Sequence, residues 1–142
     1  MVSRRKSRIL AVQALYAWDL GGQKESPDLL RFSWYEKHRL SDDVAASDEL
    51  FFARHLVLGT LESIGEVDGL IKNQTIKWDF DRINRVDLAI LRVSVFSLHY
   101  TKDIAPSITI DEAIAIAKEY SSPESYRFVN GVLDGIRKKI GV

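Results

Sequence analysis

Four basic residues near the start of the chain form the set best suited to binding chemistry. Arg4, Arg5, Lys6 and Arg8 lie close together, and the next acidic residue is Asp19. Positive charges in the first turn of a helix oppose the helix dipole, at a cost of about 0.3 to 1 kcal/mol each at low salt. A solvated basic terminus is one explanation. The other is phosphate binding, because arginine offers a planar fork of donors that matches a phosphate group.

A second basic and aromatic group flanks a predicted turn at residues 121–125. Its members are Lys118, Tyr120, Tyr126, Arg127 and Phe128. Aromatic rings beside cations in a turn can stack on unpaired bases, so this group is a second candidate for nucleic-acid contact. Core packing is the competing interpretation for Phe128, and simple solvation is the competing interpretation for Lys118.

The sequence shows no pattern typical of a catalytic or metal site. Its histidines, His38, His55 and His99, lie on separate predicted helices, and none has a second histidine three or four positions away. The paired carboxylates lie beside predicted helix starts, where capping and the helix dipole explain them. A nucleophile elbow, a phosphate-binding glycine loop and a dinucleotide fingerprint are absent from the sequence. We therefore expect no enzyme activity, no metal and no cofactor.

Composition limits the remaining classes of function. The 142 residues carry 20 basic and 20 acidic side chains, so any attraction for nucleic acid must come from an uneven distribution of charge. The chain has no cysteine, which excludes disulfides and thiol chemistry. No apolar run approaches the roughly 20 residues that span a bilayer. We expect a soluble, cytoplasmic protein with no membrane partner.

Seven helical segments must position these candidate residues. They are predicted up to residue 20, at 27–38, from between 43 and 48 to 65, and at 67–78, 85–100, 110–120 and 124–140. The apolar density of 9–18 and 85–100 predicts burial on more than one side of each helix. No segment shows a convincing strand pattern, so the prediction is an all-α, compact seven-helix bundle. We expect the tryptophans, Trp18, Trp34 and Trp78, to lie in its core.

The predicted helix boundaries depend on capping residues. N-caps are expected at Ser26, Asn84, Thr109 and Ser122. Glu112 would complete a capping box with Thr109, and a proline follows both Ser26 and Ser122. The glycine pair at 21–22 is expected to end the first helix.

Four blocks of the sequence resemble the NusB family. They are SRRKSRILAVQALYAWDL at 3–20, DLAILRVSVFSL at 87–98, IDEAIAIAKE at 110–119 and FVNGVLD at 128–134. The order and spacing of the four blocks make the resemblance specific, and it covers nearly the whole chain. The portion at 39–47 is the least similar to the family.

The resemblance implies a fold, a function and a set of partners. The fold is one domain with seven helices in two subdomains, at approximately 1–78 and 79–142. The function is processive antitermination of ribosomal RNA transcription, without catalysis. The partners are the single-stranded boxA RNA of the nascent transcript, the small-subunit ribosomal protein NusE and the transcription elongation complex. A homodimer that hides the RNA surface is also consistent with such a family.

The resemblance also assigns functional residues by position. The arginine motif of the family falls on Arg4, Arg5, Lys6 and Arg8, and its RNA-binding turn falls on Ser122, Glu124, Arg127 and Phe128. With Lys118, these are the predicted RNA-binding residues. The NusE-facing surface falls on Tyr16 and Asp87, although completing the cap at Asn84 is an adequate structural reason for Asp87.

Two departures from the family pattern and two alternative functions remain open. Ser121, Ser122 and Pro123 stand where the family commonly has a glycine, and Tyr126 stands where a smaller residue is common, so the turn is expected to be stiffer and to alter boxA recognition. The first alternative function is the NusB-like RNA-binding domain of a ribosomal RNA methyltransferase, which would require a cofactor-binding half after Val142. The second is a helical scaffold that binds only protein, in which the basic residues are merely solvated.

Overall fold

The structure is a computed structural model that describes residues 4–24, 27–32 and 44–142. Those ranges contain six α-helices, two short 3-10 helices and no strand. The α-helices are α1 (Arg4–Leu20), α2 (Val44–Glu62), α3 (Ile64–Gln74), α4 (Arg85–Tyr100), α5 (Pro106–Tyr120) and α6 (Ser125–Ile140). The 3-10 helices are Pro27–Leu30 and Phe80–Arg82. The all-α prediction is confirmed. The division into two subdomains stays a prediction.

Helix α4 is the centre of the bundle. It contacts α1, α2, α3, α5 and α6, and every residue from Asp87 to Leu98 is buried. Leu88, Ile90 and Leu91 are completely buried. Burial on every side explains why this helix lacks a polar face, and it confirms the prediction made for 85–100.

Helix α1 is buried over much of its surface but not all of it. Leu10, Ala14 and Leu15 pack in the core, where α1 contacts α2 and α4. Ile9 and Tyr16 are only half-buried and Gln13 is exposed, so this helix is less enclosed than the sequence predicted. An apolar stripe of α1 is left at the surface.

Two predicted helix boundaries are confirmed. Helix α1 ends at Leu20, and Gly22 adopts the left-handed conformation, with φ at +83°, that glycine tolerates best. Asn84 caps α4, because its Oδ1 accepts hydrogen bonds from the backbone N–H groups of Val86 at 2.8 Å and Asp87 at 3.2 Å.

The predicted capping box on α5 was wrong. The helix begins at Pro106 with Ala105 as its N-cap, so Thr109 lies in its first turn and is buried. Proline is favoured at the first helical position because its φ is already helical and its missing N–H needs no partner. Glu112 is therefore available for another contact, and it binds Arg5.

Three other predicted boundaries also differ from the structure. The N-cap of α6 is Glu124, two residues after Ser122. Helix α3 ends at Gln74 and does not reach residue 78. Within the described part of the helix predicted at 27–38, Pro27–Leu30 is a 3-10 helix, and Phe32, with φ at +50°, is not helical. Residues 33–38, and Ser26 with its predicted cap, lie outside the described ranges.

A buried arginine joins three helices beneath the surface. Arg92 of α4 is 1% exposed, and it binds the Asp68 carboxylate of α3 through Nε at 2.8 Å and Nη2 at 3.0 Å. Its Nη1 lies 3.6 Å from Asp19 of α1, and its guanidinium lies 5.3 Å from the ring centroid of Trp18. Pairing of this kind is needed because an unpaired buried charge is strongly destabilising.

In the described ranges no helix is long and apolar enough to cross a membrane.

Candidate nucleic-acid interface

The four basic residues of α1 lie in different environments. Arg4 and Lys6 are exposed, and the Arg4 guanidinium lies 3.9 Å from the ring centroid of Phe52 on α2. Arg8 follows Arg4 by one helical turn and lies 5.7 Å from the same ring, but it is only 7% exposed. Burial lowers the pKa of Arg8, and its Nε has no hydrogen-bond partner among the described residues.

Arg5 forms a two-pronged ion pair with Glu112 of α5. Its Nε donates to Oε2 of Glu112 at 2.6 Å, and its Nη2 donates to Oε1 at 3.3 Å. The hydrogen bond from Arg5 to the carboxylate raises the pKa of the guanidinium. Since the Arg5 side chain is still 53% exposed, water and other anions can compete for it.

A buried carboxylate holds the turn between α5 and α6. Asp87 is 5% exposed, and its Oδ1 accepts from Ser121 Oγ at 2.6 Å while its Oδ2 accepts from Ser125 Oγ at 2.9 Å. Ser122 Oγ lies 2.7 Å from Ser125 Oγ, so three serine hydroxyls and one carboxylate form a connected network. Ser121 and Ser122 belong to the turn that the sequence predicts to be stiffer than in the family. The network attaches this turn to the start of α4.

Two cations of the second predicted group converge on one ring. Lys118 Nζ lies 4.8 Å from the ring centroid of Tyr126, and the Arg127 guanidinium lies 5.6 Å from it. Arg127 Nε also donates to Tyr126 Oη at 3.1 Å. Glu124 lies 3.5 Å from Arg127 in an exposed ion pair. Lys118, Tyr126 and Arg127, three of the five residues predicted for this group, are therefore brought together.

Phe128 lies on the other side of the turn, beside Trp78. The two rings pack edge to face with their centroids 5.5 Å apart and their planes at 74°. Trp78 is 55% exposed, so its predicted position in the core was wrong, while Trp18 is buried as predicted and Trp34 lies outside the described ranges. The cause is the early end of α3, which leaves Trp78 in a connection. Its charged neighbours, at positions 77 and 79, were the available sequence signal for exposure.

A cleft of about 420 Å³ opens beside this aromatic pair. It is lined by Lys77, Trp78, Asp79, Arg82, Ile83, Asn84, Asp87 and Phe128. The cleft therefore combines two rings with charged and amide groups at one end of the bundle.

A separate apolar groove of about 170 Å³ lies where the uncovered stripe of α1 meets α4 and α5. It is lined by Ile9, Val12, Gln13, Tyr16, Val86, Ile116 and Tyr120. Tyr16, one of the two predicted partner-binding residues, belongs to this groove. Asp87, the other, lines the Trp78 cleft, and its carboxylate is bound by serine hydroxyls.

The histidines of the described ranges have contacts that need no metal. His55 lies between the rings of Phe52 and Phe96, and His99 Nε2 lies 2.8 Å from Glu66 Oε1. No group of three metal-binding side chains occurs among the residues that the structure describes. His38 is not among them.

Comparison with known proteins agrees with this architecture over nearly the whole chain. Residues 5–138 match the NusB family. Transcription antitermination protein NusB of Treponema denticola is 49% identical over 138 residues, which are 97% of this chain and 98% of that protein. The structure of T. maritima NusB has a TM-score of 0.81 at 33% identity and covers 98% of this chain and 94% of its own. A chain in the crystal structure of antitermination factors NusB and NusE in complex with dsRNA has a TM-score of 0.81 at 29% identity, with 96% of each chain covered. From this match in sequence, length and fold, the chain belongs to the NusB family.

Proposed function

We propose that this protein is a transcription antitermination factor that binds the boxA RNA of nascent ribosomal RNA transcripts together with NusE. The observation that carries the proposal is a pair of exposed cation groups in a chain of the NusB family. Arg4 lies over the buried ring of Phe52, and Lys118 and Arg127 lie beside the half-buried ring of Tyr126. The known complex of NusB and NusE with dsRNA supports the same combination of partners.

The RNA side of the proposal assigns separate roles to the basic residues. Arg4, Lys6 and Arg127 are exposed, so they would neutralise phosphates directly. Arg5 would exchange Glu112 for a phosphate, because an exposed ion pair generally contributes no more than about 1 kcal/mol. Arg8 lies beneath the surface, where its charge adds to the local positive potential and its side chain supports the Phe52 ring.

The turn supplies the remaining RNA contacts in this proposal. Lys118 would approach the backbone from α5, and Phe128 would offer a ring to an unpaired base. Ser122 and Glu124 are exposed on the same turn, where Ser122 could bind a phosphate or sugar hydroxyl. Glu124 would orient Arg127 through their ion pair.

The apolar groove is the proposed docking surface for NusE. Tyr16 and its apolar neighbours would receive an apolar side chain of that protein, whose burial would remove the uncovered stripe of α1 from water. Asp87 would affect this surface indirectly, because its hydrogen bonds with Ser121 and Ser125 set the position of the turn between α5 and α6. Direct contact between Asp87 and NusE stays a prediction.

Binding of boxA-containing RNA, measured with and without NusE, tests the proposal. We expect weak, salt-dependent binding by this protein alone and tighter binding when NusE is added. If Arg4, Arg5, Lys6, Lys118 and Arg127 each neutralise one phosphate, log affinity should fall with log salt at a slope of about −3.5. A slope near zero, or no effect of NusE, would contradict the proposed function.

Charge-removing variants separate this function from that of a scaffold that binds only protein. Replacing Arg4 and Lys6 by alanine should weaken RNA binding and make the salt slope less steep by about 1.4. The matched control is Lys139→Ala, also exposed but on the last turn of α6, about 18 Å along the helix from Arg127. Equal RNA binding by the wild type and the Arg4/Lys6 variant would favour the scaffold.

The proposal also covers the number of helices, the cellular location, the elongation complex and self-association. Seven helices in two subdomains would extend the six α-helices of the described ranges. A cytoplasmic location and contact with the elongation complex would follow from action on nascent transcripts. Self-association through the apolar groove would compete with NusE, and light scattering of the free protein would detect it.

A further inference from the structure

We propose that the cleft beside Trp78 and Phe128 takes one unpaired base of the bound RNA strand, with Trp78 as the stacking platform. The inference rests on the proposed RNA-binding function and adds a binding residue outside the two basic groups. Four features of the cleft carry it, namely the geometry of its rings, its charge, its polar groups and its position.

The rings of Trp78 and Phe128 are nearly perpendicular to each other. Their planes meet at 74° with the centroids 5.5 Å apart, so a flat ligand that stacks on one ring meets the other edge to face. Trp78 is 55% exposed although it carries the largest apolar ring system among the side chains. The cleft volume of about 420 Å³ lies in the range of small-ligand pockets and is large enough for a base with its sugar.

The charge of the cleft favours a neutral base over a free phosphate. Lys77 and Arg82 contribute two positive charges, and Asp79 and Asp87 contribute two negative charges, so the lining has no net charge. Asp79 Oδ2 lies 3.7 Å from Arg82 Nε, so one of the negative charges is paired with one of the positive charges inside the cleft. A phosphate would gain no net attraction here, whereas an uncharged aromatic ring would gain stacking on Trp78.

The polar groups of the lining can address the edge of a base. Asn84 Oδ1 is already used by the cap of α4, which leaves the amide N–H groups of its side chain as donors. Asp79 is 59% exposed in its side chain and offers a carboxylate acceptor. The edges of unpaired bases carry both hydrogen-bond donors and acceptors, so a lining with a donor and an acceptor can bind them.

The cleft is continuous with the proposed RNA surface. Phe128 lines it, while Arg127, the preceding residue, belongs to the cation group around Tyr126. A strand whose phosphates follow Arg127 therefore passes the mouth of the cleft, and one base can turn inward while its phosphates stay outside. Ribonucleotide strands bound by proteins are commonly held in this way, with bases splayed onto rings and the backbone on cations.

Affinity measurements on the full chain test the inference. Fluorescence anisotropy of a labelled boxA-containing RNA would be compared for the wild type, Trp78→Ala and Trp78→Phe. The matched control is Ile76→Ala, because Ile76 is a 76% exposed apolar residue of the same connection that does not line the cleft. We expect Trp78→Ala to weaken binding about tenfold, as removing one base–aromatic stack generally does. Trp78→Phe should retain most of the affinity and Ile76→Ala all of it.

An abasic scan identifies the base and does not depend on the folding of any variant. RNAs that each lack one base would be titrated with the wild type, and one position should show a loss comparable to that of Trp78→Ala. Trp78→Ala should then lose little further affinity for that abasic RNA, because both changes remove the same contact.

The possible outcomes separate this inference from the function on which it rests. Failure of the wild type to bind RNA would overturn both. If the Arg4/Lys6 variant weakens binding but Trp78→Ala and every abasic RNA match the wild type, the cleft alone is excluded. The cleft is likewise excluded as a base site if Trp78→Ala weakens only the recruitment of NusE.

Discussion

Removal of the Asp87 carboxylate is expected to destabilise the protein and to weaken RNA binding at the same time. The carboxylate is 5% exposed and accepts hydrogen bonds from Ser121 and Ser125, which belong to the turn that carries the second basic group. In Asp87→Ala, the turn would lose its attachment to α4. Phe128 and the cations around Tyr126 would then lose the position that the network gives them.

The magnitude follows from the contacts. A hydrogen bond to a charged group contributes about 1.5 to 3 kcal/mol, so two such bonds contribute about 3 to 6 kcal/mol. Two effects favour the lower end. The serine hydroxyls also lie within 2.9 Å of one another, so they keep a partner, and the variant no longer has to bury a charge. We therefore expect Asp87→Ala to lower the free energy of unfolding by about 3 kcal/mol.

Urea unfolding followed by circular dichroism measures this loss. With an m-value of about 2 kcal/mol/M, the midpoint should fall by about 1.5 M. Asp111→Ala is the control, because Asp111 is an exposed acid on α5, and its removal should change stability by no more than about 0.5 kcal/mol. The anisotropy assay on both variants, at a temperature where both are folded, then measures the effect on RNA binding.

Two results would refute this reasoning. The first is a loss of stability in Asp87→Ala no larger than in Asp111→Ala. The second is additivity between Asp87→Ala and Ser125→Ala, because residues in one hydrogen-bond network should show a coupling energy of about 0.5 to 3 kcal/mol. If Asp87→Ala keeps its stability but loses NusE binding, the residue is a partner contact, as the family resemblance implies.

Two further predictions concern the packing and pH dependence of the bundle. A Cβ atom at Gly59 would lie 2.1 Å from the Phe96 ring, so Gly59→Ala should destabilise the fold by about 1 to 3 kcal/mol in urea unfolding. Gly131→Ala, whose Cβ would meet open space in α6, should instead stabilise it by about 0.5 to 1 kcal/mol, and equal effects would contradict the model of packing. A hydrogen bond from Tyr100 holds the pKa of Glu66 below its ordinary 4.5. The ionised Glu66 carboxylate therefore stabilises the fold above pH 4.5, and this stabilisation is lost as the pH falls through the folded-state pKa of Glu66. The stability difference between the wild type and Glu66→Gln should therefore shrink on acidification, and a difference independent of pH would disprove the linkage.

Much of the candidate site could be found in the sequence because its signals are local. The basic group stands out through the absence of neighbouring acids, and the second group stands out because cations and rings flank a turn. Lys118, Tyr126 and Arg127 do converge in the structure. Trp78 was expected in the core because the sequence predicted a helix as far as residue 78, whereas α3 ends at Gln74; the charges at 77 and 79 were the local sign of its exposure.

What the sequence determined by itself was the helical class, the central position of α4 and the boundaries set by Gly22 and Asn84. Helical periodicity and capping are properties of neighbouring residues, so they can be read without knowledge of the packing. The family assignment belongs here too, since it depends on the order and spacing of four sequence blocks.

Only the tertiary structure decided which of the basic side chains stay exposed to solvent. Arg5 and Glu112 are 107 positions apart, and Asp87 and Ser125 are 38 apart, yet each pair is in hydrogen-bond contact. Arg8 is 7% exposed, whereas Arg4, one helical turn earlier and closer to the same Phe52 ring of α2, is exposed. Contacts of this kind depend on how the helices pack against one another, which no local pattern of residue types specifies.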